Sequence, residues 1–156
     1  KYDDEGQVAD YLTKIVKKEA FDGTGLIYGL GHAVYTISDP RTTLIRKQAA
    51  RLAKEKDLQW EFDLYELVER LSPEIFQTVK KSDKRVCSNV DFYSGFVYRM
   101  LDIPPEVYTP IFAISRIAGW CAHRLEELTF DARRIIRPAY KNVFTHRDYI
   151  QTEERE

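Results

Sequence analysis

Apolar residues recur three and four positions apart through most of this 156-residue chain, and no two consecutive segments alternate apolar with polar residues. The first apolar stripe runs from Val8 to Val16, with lysines on the opposite face. This spacing gives each segment one apolar helical face, whereas a half-buried strand needs a period of two. The sequence therefore predicts an all-α fold.

Six helical segments are predicted, and proline or a capping residue marks most of their ends. The second begins at Pro40, because Asp39 is a good N-cap and proline suits the first helical position. The third covers about residues 62–71, and Ser72-Pro73 is expected to end it and to start a shorter helix. The shorter helix is expected to end near Lys81 and to be followed by a surface loop at 81–85. Two further helices are predicted at about residues 91–101 and 106–128, with an extended tail after 130.

Composition limits the class of protein. A formal net charge of −1 gives no basic field for nucleic acid or a membrane surface as partner. The sequence is 44% hydrophobic and 31% charged, without a transmembrane run or a signal-peptide pattern, so a cytoplasmic protein is expected. In that compartment Cys87 and Cys121 are expected to be reduced, partly buried thiols. The histidines are His32, His123 and His146, and no metal site is expected from them.

The segment from Gly29 to Arg41 places a histidine on a glycine-flanked loop and an arginine in the first turn of the next helix. Glycine tolerates positive φ, so backbone N–H groups of the loop can face a ligand. The arginine lies near the positive end of the helix dipole. Taken alone, His32 is more often a structural residue, but beside Asp39 and Arg41 it suits a small anion with carboxylate and carbonyl groups.

This loop resembles the signature of the citrate synthase family, and later segments resemble the same family in the same order. Asn89-Val90-Asp91-Phe92-Tyr93-Ser94-Gly95 is similar to its catalytic-aspartate segment. Ser115-Arg116-Ile117-Ala118-Gly119-Trp120, followed by Arg137-Pro138, is similar to its two carboxylate-binding arginine segments. The resemblance runs along nearly the whole chain, which would correspond to about the C-terminal third of a family member.

The resemblance implies a citrate synthase-like helical fold, truncated to most of the small domain and the C-terminal part of the large domain. Residues 1–102 would form most of the small, mobile, coenzyme-binding domain. Residues 103–156 would return to the large domain and end in a tail that crosses to a partner subunit. No nucleic acid and no membrane is expected as partner.

The resemblance also implies residue roles. His32 would hydrogen-bond the ketone oxygen of oxaloacetate, and Asp91 would take a proton from the methyl group of acetyl-CoA. Arg41 and Arg116 would bind the carboxylates of oxaloacetate within one subunit. Arg137 would reach the partner subunit's site, which implies a homodimer. The coenzyme A thioester is a substrate rather than a permanently bound cofactor, and its adenine would lie against Leu26, Ile27, Tyr28, Gly29, Leu30 and Gly31.

Two features depart from the family. Many members have an arginine at the position of Thr36 that helps to hold the coenzyme's phosphates, and threonine cannot form that ion pair. Members also carry a catalytic histidine in an upstream His-Gly-Gly motif, and this sequence has none. The chain is therefore interpreted as a piece of an enzyme, inactive by itself.

Two alternatives stay open. A 2-methylcitrate synthase would use propionyl-CoA with the same residue set, and discrimination of one methylene is worth only about 1–3 kcal/mol. A non-catalytic helical interaction module would also explain the missing upstream histidine. Against a module stands the joint presence of His32, Asp91 and three matched arginines, which a scaffold does not need.

Overall fold

A computed structural model describes residues 4–129 and 145–155 of the chain. Within these residues the regular structure is helical, apart from one isolated antiparallel bridge between Leu30 and Ser88. The predicted all-α class is therefore confirmed. The helices are α1 (Glu5–Val16), α2 (Pro40–Glu55), α3 (Gln59–Lys80), α4 (Val90–Met100) and α5 (Tyr108–Thr129), with 3₁₀ turns at Pro105–Val107 and Thr152–Glu154.

Side-chain caps fix where three of the helices begin. Asp4, Asp39 and Asn89 each accept a hydrogen bond from a backbone N–H in the first turn of the helix that follows. Such a bond satisfies one of the N–H groups that have no partner inside the helix. The predicted start of α2 at Pro40 is confirmed, and α4 begins one residue before the predicted start at Asp91.

The predicted break at Ser72-Pro73 is wrong, because α3 continues through both residues as one helix. Proline removes one backbone hydrogen bond and costs a helix interior about 3 kcal/mol. The apolar face nevertheless continues beyond it, where Leu71, Ile75 and Val79 face α1. The contacts that α3 makes with α1 and α2 offset the local penalty.

The hydrophobic core is built around α4, the most buried helix. Two alanines of α2, Ala49 and Ala53, are fully buried and let the α2 backbone approach closely. Phe62 of α3 closes the core from another side and lies 5.9 Å from the ring of Tyr93, centroid to centroid. The buried residues of α4 are Phe92, Tyr93, Phe96, Val97 and Met100.

The chain divides into two compact units, residues 1–114 and 115–156. The second unit contains most of α5, which buries none of its residues and exposes Ile117, Trp120 and Leu125. Cys87 is half-buried, as predicted, but the predicted partial burial of Cys121 is wrong, because Cys121 is exposed on α5. In the described part of the chain, no helix is long and apolar enough to cross a membrane.

The predicted domain boundary near residue 102 stays a prediction. Most of the predicted extended tail lies outside the described residues. Of that tail, residues 145–150 have no regular secondary structure.

A close approach between the glycine loop and α4 fixes where the histidine lies. Gly29 has a φ of +83°, and a Cβ placed on it would lie 2.8 Å from the Cα of Phe92. No L-residue adopts that φ without strain, and no methyl group fits in that gap. Glycine at position 29 therefore allows the loop to rest directly on the first turn of α4.

We predict that Gly29→Ala destabilises the chain more than Gly23→Ala does. Gly23 also has a positive φ, +70°, but a Cβ there would meet nothing closer than the Lys18 carbonyl oxygen at 4.0 Å. The control should cost about 1–2 kcal/mol for the left-handed backbone. Gly29→Ala adds the clash with Phe92, about 1–3 kcal/mol more. Urea denaturation of both variants measures the difference, and equal losses would contradict the close approach.

Candidate active site

The backbone after His32 fixes the orientation of its half-buried ring. Its Nδ1 atom accepts hydrogen bonds from the backbone N–H of Val34, at 3.0 Å, and of Tyr35, at 3.1 Å. The Tyr35 ring lies 4.8 Å away, centroid to centroid. Because Nδ1 serves as acceptor, the neutral ring carries its proton on Nε2. His32 can therefore present one N–H donor to a ligand.

Asp39 and Arg41 form a bidentate ion pair at the N-terminus of α2. The Nε of Arg41 donates to Oδ1 of Asp39 at 3.0 Å, and its Nη2 donates to Oδ2 at 2.8 Å. Asp39 is buried, about half of the Arg41 side chain is exposed, and the guanidinium carbon lies 5.6 Å from the centroid of the Tyr35 ring. The pair holds the guanidinium plane in place and uses two of its five N–H donors.

Charge and hydrogen bonding shift both pKa values of this pair. The Arg41 guanidinium holds the pKa of Asp39 below its usual range, chiefly through the hydrogen bond and against the effect of burial. The same hydrogen bond raises the pKa of Arg41, and the charge of Asp91 adds to that rise. Both groups therefore stay charged near neutral pH, and Asp91 lies close enough to interact with Arg41.

Asp91 lies in the first turn of α4 with its side chain exposed, and it contributes to the wall of a cleft of about 810 Å³. A carboxylate is favoured at this end of a helix by the dipole. Gly29 contributes to the same wall, so the glycine loop and Asp91 meet at one cleft. The other walls are mainly apolar and include Leu12, Ile15, Ile27, Tyr65, Val68 and Phe92.

The segment before the histidine is held in shape by Asp22. Its Oδ1 accepts from the backbone N–H and from the hydroxyl of Thr24, at 3.0 and 2.7 Å, and its Oδ2 accepts from the Tyr28 hydroxyl at 2.7 Å. These bonds lower the pKa of Asp22. Leu26 and Tyr28 expose more than half of their surface. The segment thus presents the side chains of Leu26 and Tyr28 to solvent on a fixed turn. The expectation that loop N–H groups face a ligand is wrong for Leu30 and Gly31, because both N–H groups donate to backbone carbonyls of the chain.

Hydrogen bonds tie the glycine loop to the residues that begin α4. The backbone N–H of Gly31 donates to the Cys87 carbonyl, and that of Asn89 donates to the Gly29 carbonyl, both at 2.8 Å. The side-chain amide of Asn89 donates to the Gly31 carbonyl at 2.9 Å. The hydroxyl of Ser88, which lies between Cys87 and Asn89 in the chain, donates to the carboxylate of Glu69 on α3.

Two of these contacts were missed by sequence reasoning. By the sequence pattern alone, Asp91 would be the capping residue at the start of α4, but in the structure Asn89 caps the helix and accepts from the Asp91 N–H. No sequence signal points to the second bond of Asn89 or to Glu69.

Of the five predicted catalytic and substrate-binding residues, His32, Arg41 and Asp91 lie in the first unit, as do the predicted coenzyme-binding residues 26–31. Asp91 lines the cleft of about 810 Å³, whereas His32 and Arg41 do not line it. Arg116 lies on the part of α5 that belongs to the second unit, with its side chain exposed. Arg137 lies outside the described residues. Across the described ranges, no three His, Cys, Asp or Glu side chains are grouped so that they could hold a metal ion.

A family model and curated relatives of this chain all point to the same protein family. The family model described as "Citrate synthase, C-terminal domain" matches residues 1–139. A citrate synthase of Synechocystis is 38% identical over 83% of this chain and 31% of its own length. Citrate synthase 2 of Bacillus subtilis is 40% identical over 80% of this chain and 29% of its length. The chain thus spans about three-tenths of these curated relatives.

A solved structure supports the same family. The crystal structure of citrate synthase from Pyrobaculum aerophilum matches 94% of this chain and 35% of its own, with a TM-score of 0.61 and 34% identity. The family model covers most of the sequence, and the two curated relatives are well above 30% identical. The sequence matches and the structural match therefore indicate the same family. This chain belongs to the citrate synthase family and corresponds to the C-terminal domain of its members.

Proposed function

We propose that this chain is part of a citrate synthase, and that the complete protein condenses acetyl-CoA with oxaloacetate to give citrate and free coenzyme A. The orientation of His32 is the main support, because two backbone N–H groups occupy Nδ1 and leave Nε2–H as a donor. Membership of the family and the position of Asp91 beside an apolar cleft add to it.

In the proposed reaction His32 acts on the ketone of oxaloacetate. Its Nε2–H donates to the ketone oxygen, which draws electron density from the carbonyl carbon. When a carbon nucleophile attacks, the oxygen gains negative charge and the same donor stabilises it. A donor fixed by the Val34 and Tyr35 amides needs no reorganisation during this step.

Asp91 acts as the general base toward acetyl-CoA. Its carboxylate accepts a proton from the methyl carbon, and the resulting enolate attacks the ketone carbon of oxaloacetate to form the new carbon–carbon bond. Water then cleaves the thioester and releases the coenzyme A thiol. A carboxylate is a weak base for this proton, so the apolar cleft around Asp91 has to exclude water. The resemblance assigns the hydrogen bond to the enolate to a histidine of the upstream His-Gly-Gly motif.

Arginines bind the two carboxylates of oxaloacetate in this proposal. Arg41 suits the task because Asp39 already orients its guanidinium plane, and three of its N–H donors make no hydrogen bond within the described residues. Arg116 would bind within the same subunit, and Arg137 would bind from the partner in a homodimer. Residues 26–31, which include Tyr28 bonded to Asp22, would receive the adenine of the coenzyme. The chain by itself should be inactive, because it lacks the upstream histidine motif.

We predict that Asp91→Asn in the complete protein lowers kcat by about 10²–10⁴-fold and leaves oxaloacetate affinity nearly unchanged. Asparagine keeps the shape but cannot accept the proton. Thiol release reports kcat, and calorimetry reports oxaloacetate binding. Asp102→Asn is the matched control, because Asp102 is exposed at the end of α4 and its positive φ is tolerated by asparagine.

Preserved kcat with a collapse of oxaloacetate affinity would make Asp91 a binding residue instead. The same assay, run on wild type with propionyl-CoA, separates the two acyl-CoA substrates. A higher kcat/KM for propionyl-CoA than for acetyl-CoA would favour a 2-methylcitrate synthase.

A subunit-exchange experiment tests the proposed role of Arg137. Complete Arg137→Ala and His32→Ala proteins should each be inactive as homodimers. Equal mixing under exchange should restore about one quarter of wild-type activity, because half of the dimers are mixed and each has one intact site. If verified exchange between folded variants restores nothing, Arg137 does not serve the partner's site.

A further inference from the structure

The side chain of Asn89 makes two hydrogen bonds that point in different directions. Its Oδ1 accepts from the backbone N–H of Asp91 at 3.0 Å and caps α4. Its Nδ2 donates to the carbonyl of Gly31 at 2.9 Å. Gly31 directly precedes His32 in the chain. The side-chain amide of Asn89 therefore connects the residue before the histidine to Asp91 itself.

The surroundings of Asn89 make this connection rigid. Its backbone N–H is bonded to the Gly29 carbonyl, and the preceding Ser88 is buried and donates to Glu69 of α3. The Ser88 carbonyl accepts from the Thr42 hydroxyl of α2 at 3.4 Å. Residues 88 and 89 are thus held by two helices and by the glycine loop.

Only an amide has the chemistry for both bonds. Capping needs an oxygen acceptor, and asparagine, aspartate and serine serve about equally well. The bond to the Gly31 carbonyl needs an N–H donor on the same short side chain. Aspartate would turn a second acceptor toward that carbonyl, and serine is too short to make both bonds.

We propose that Asn89 is a positioning residue that sets the distance between His32 and Asp91. This inference rests on the proposed function, since it matters for catalysis only if the histidine acts on the ketone and the aspartate on the acyl methyl group. The two reactants meet between these side chains, and a misplacement of about 1 Å can cost about 10²-fold in rate. The cap alone would stabilise α4 without affecting that distance.

The test uses the complete protein with Asn89→Ser, which keeps the cap and loses the bond to Gly31. We expect the variant to fold with an unfolding midpoint close to that of wild type. Its kcat should fall about 10–100-fold, while KM for oxaloacetate changes about three-fold or less. Asn89→Asp is the second variant, used if serine does not fold. Asp4→Ala, which removes the cap of α1, is the control and should keep the wild-type kcat.

A spectroscopic readout separates positioning from helix stability. With oxaloacetate labelled at the ketone carbon, the hydrogen bond from His32 should move the ¹³C resonance of the bound ketone downfield in wild type. Asn89→Ser should reduce that displacement although oxaloacetate remains bound. A folded variant with wild-type kcat and wild-type displacement would overturn the assignment and leave Asn89 a helix cap. Absence of both condensation and displacement in wild type would overturn the proposed function, and the assignment with it.

Discussion

The contact between the glycine loop and the first residues of α4 determines the geometry of the rest of the site. The loop approaches so closely that Gly29 faces the Cα of Phe92 with no room for a Cβ. Backbone bonds from Gly31 and Asn89 then join the two segments. Because α4 is also the most buried helix, the contact ties a solvent-facing histidine loop to the centre of the core. The core packing of α4 thus fixes where the candidate catalytic groups lie.

Electrostatics at the start of α2 completes this arrangement. Asp39 is buried, caps the helix and at the same time holds the guanidinium of Arg41 in a bidentate pair. A buried carboxylate without such a partner would be costly, so the ion pair is what allows Asp39 to be charged there. The arginine in turn gains a fixed orientation without losing most of its donors. The same residue pair therefore caps α2 and orients the guanidinium group that, in the proposed function, binds a carboxylate of the substrate.

Local sequence signals predicted much of the fold and part of the site. Caps and apolar periods identified α1, α2 and α4, and the glycines around Leu30 do have the positive φ that the loop interpretation needs. The predicted helix break at Pro73 was wrong because contacts between α3 and α1 stabilise the continuous helix. The local sequence does not show those contacts. Nor does the sequence show that Asn89 bonds to Gly31, since that contact joins distant segments. The predicted role of Arg116 as a carboxylate ligand came from the family resemblance, and Arg116 lies in the second unit, whereas the described site lies in the first.

Amide hydrogen exchange tests most directly whether the loop and the start of α4 form one rigid unit. The N–H groups of Gly31 and Asn89 lie outside the helices but donate to the Cys87 and Gly29 carbonyls. After correction for intrinsic rates, both should exchange at least about 100-fold more slowly than the N–H of Arg85, in the exposed loop between α3 and α4. Exchange of both amides as fast as that of Arg85 would contradict a rigid connection between His32 and Asp91.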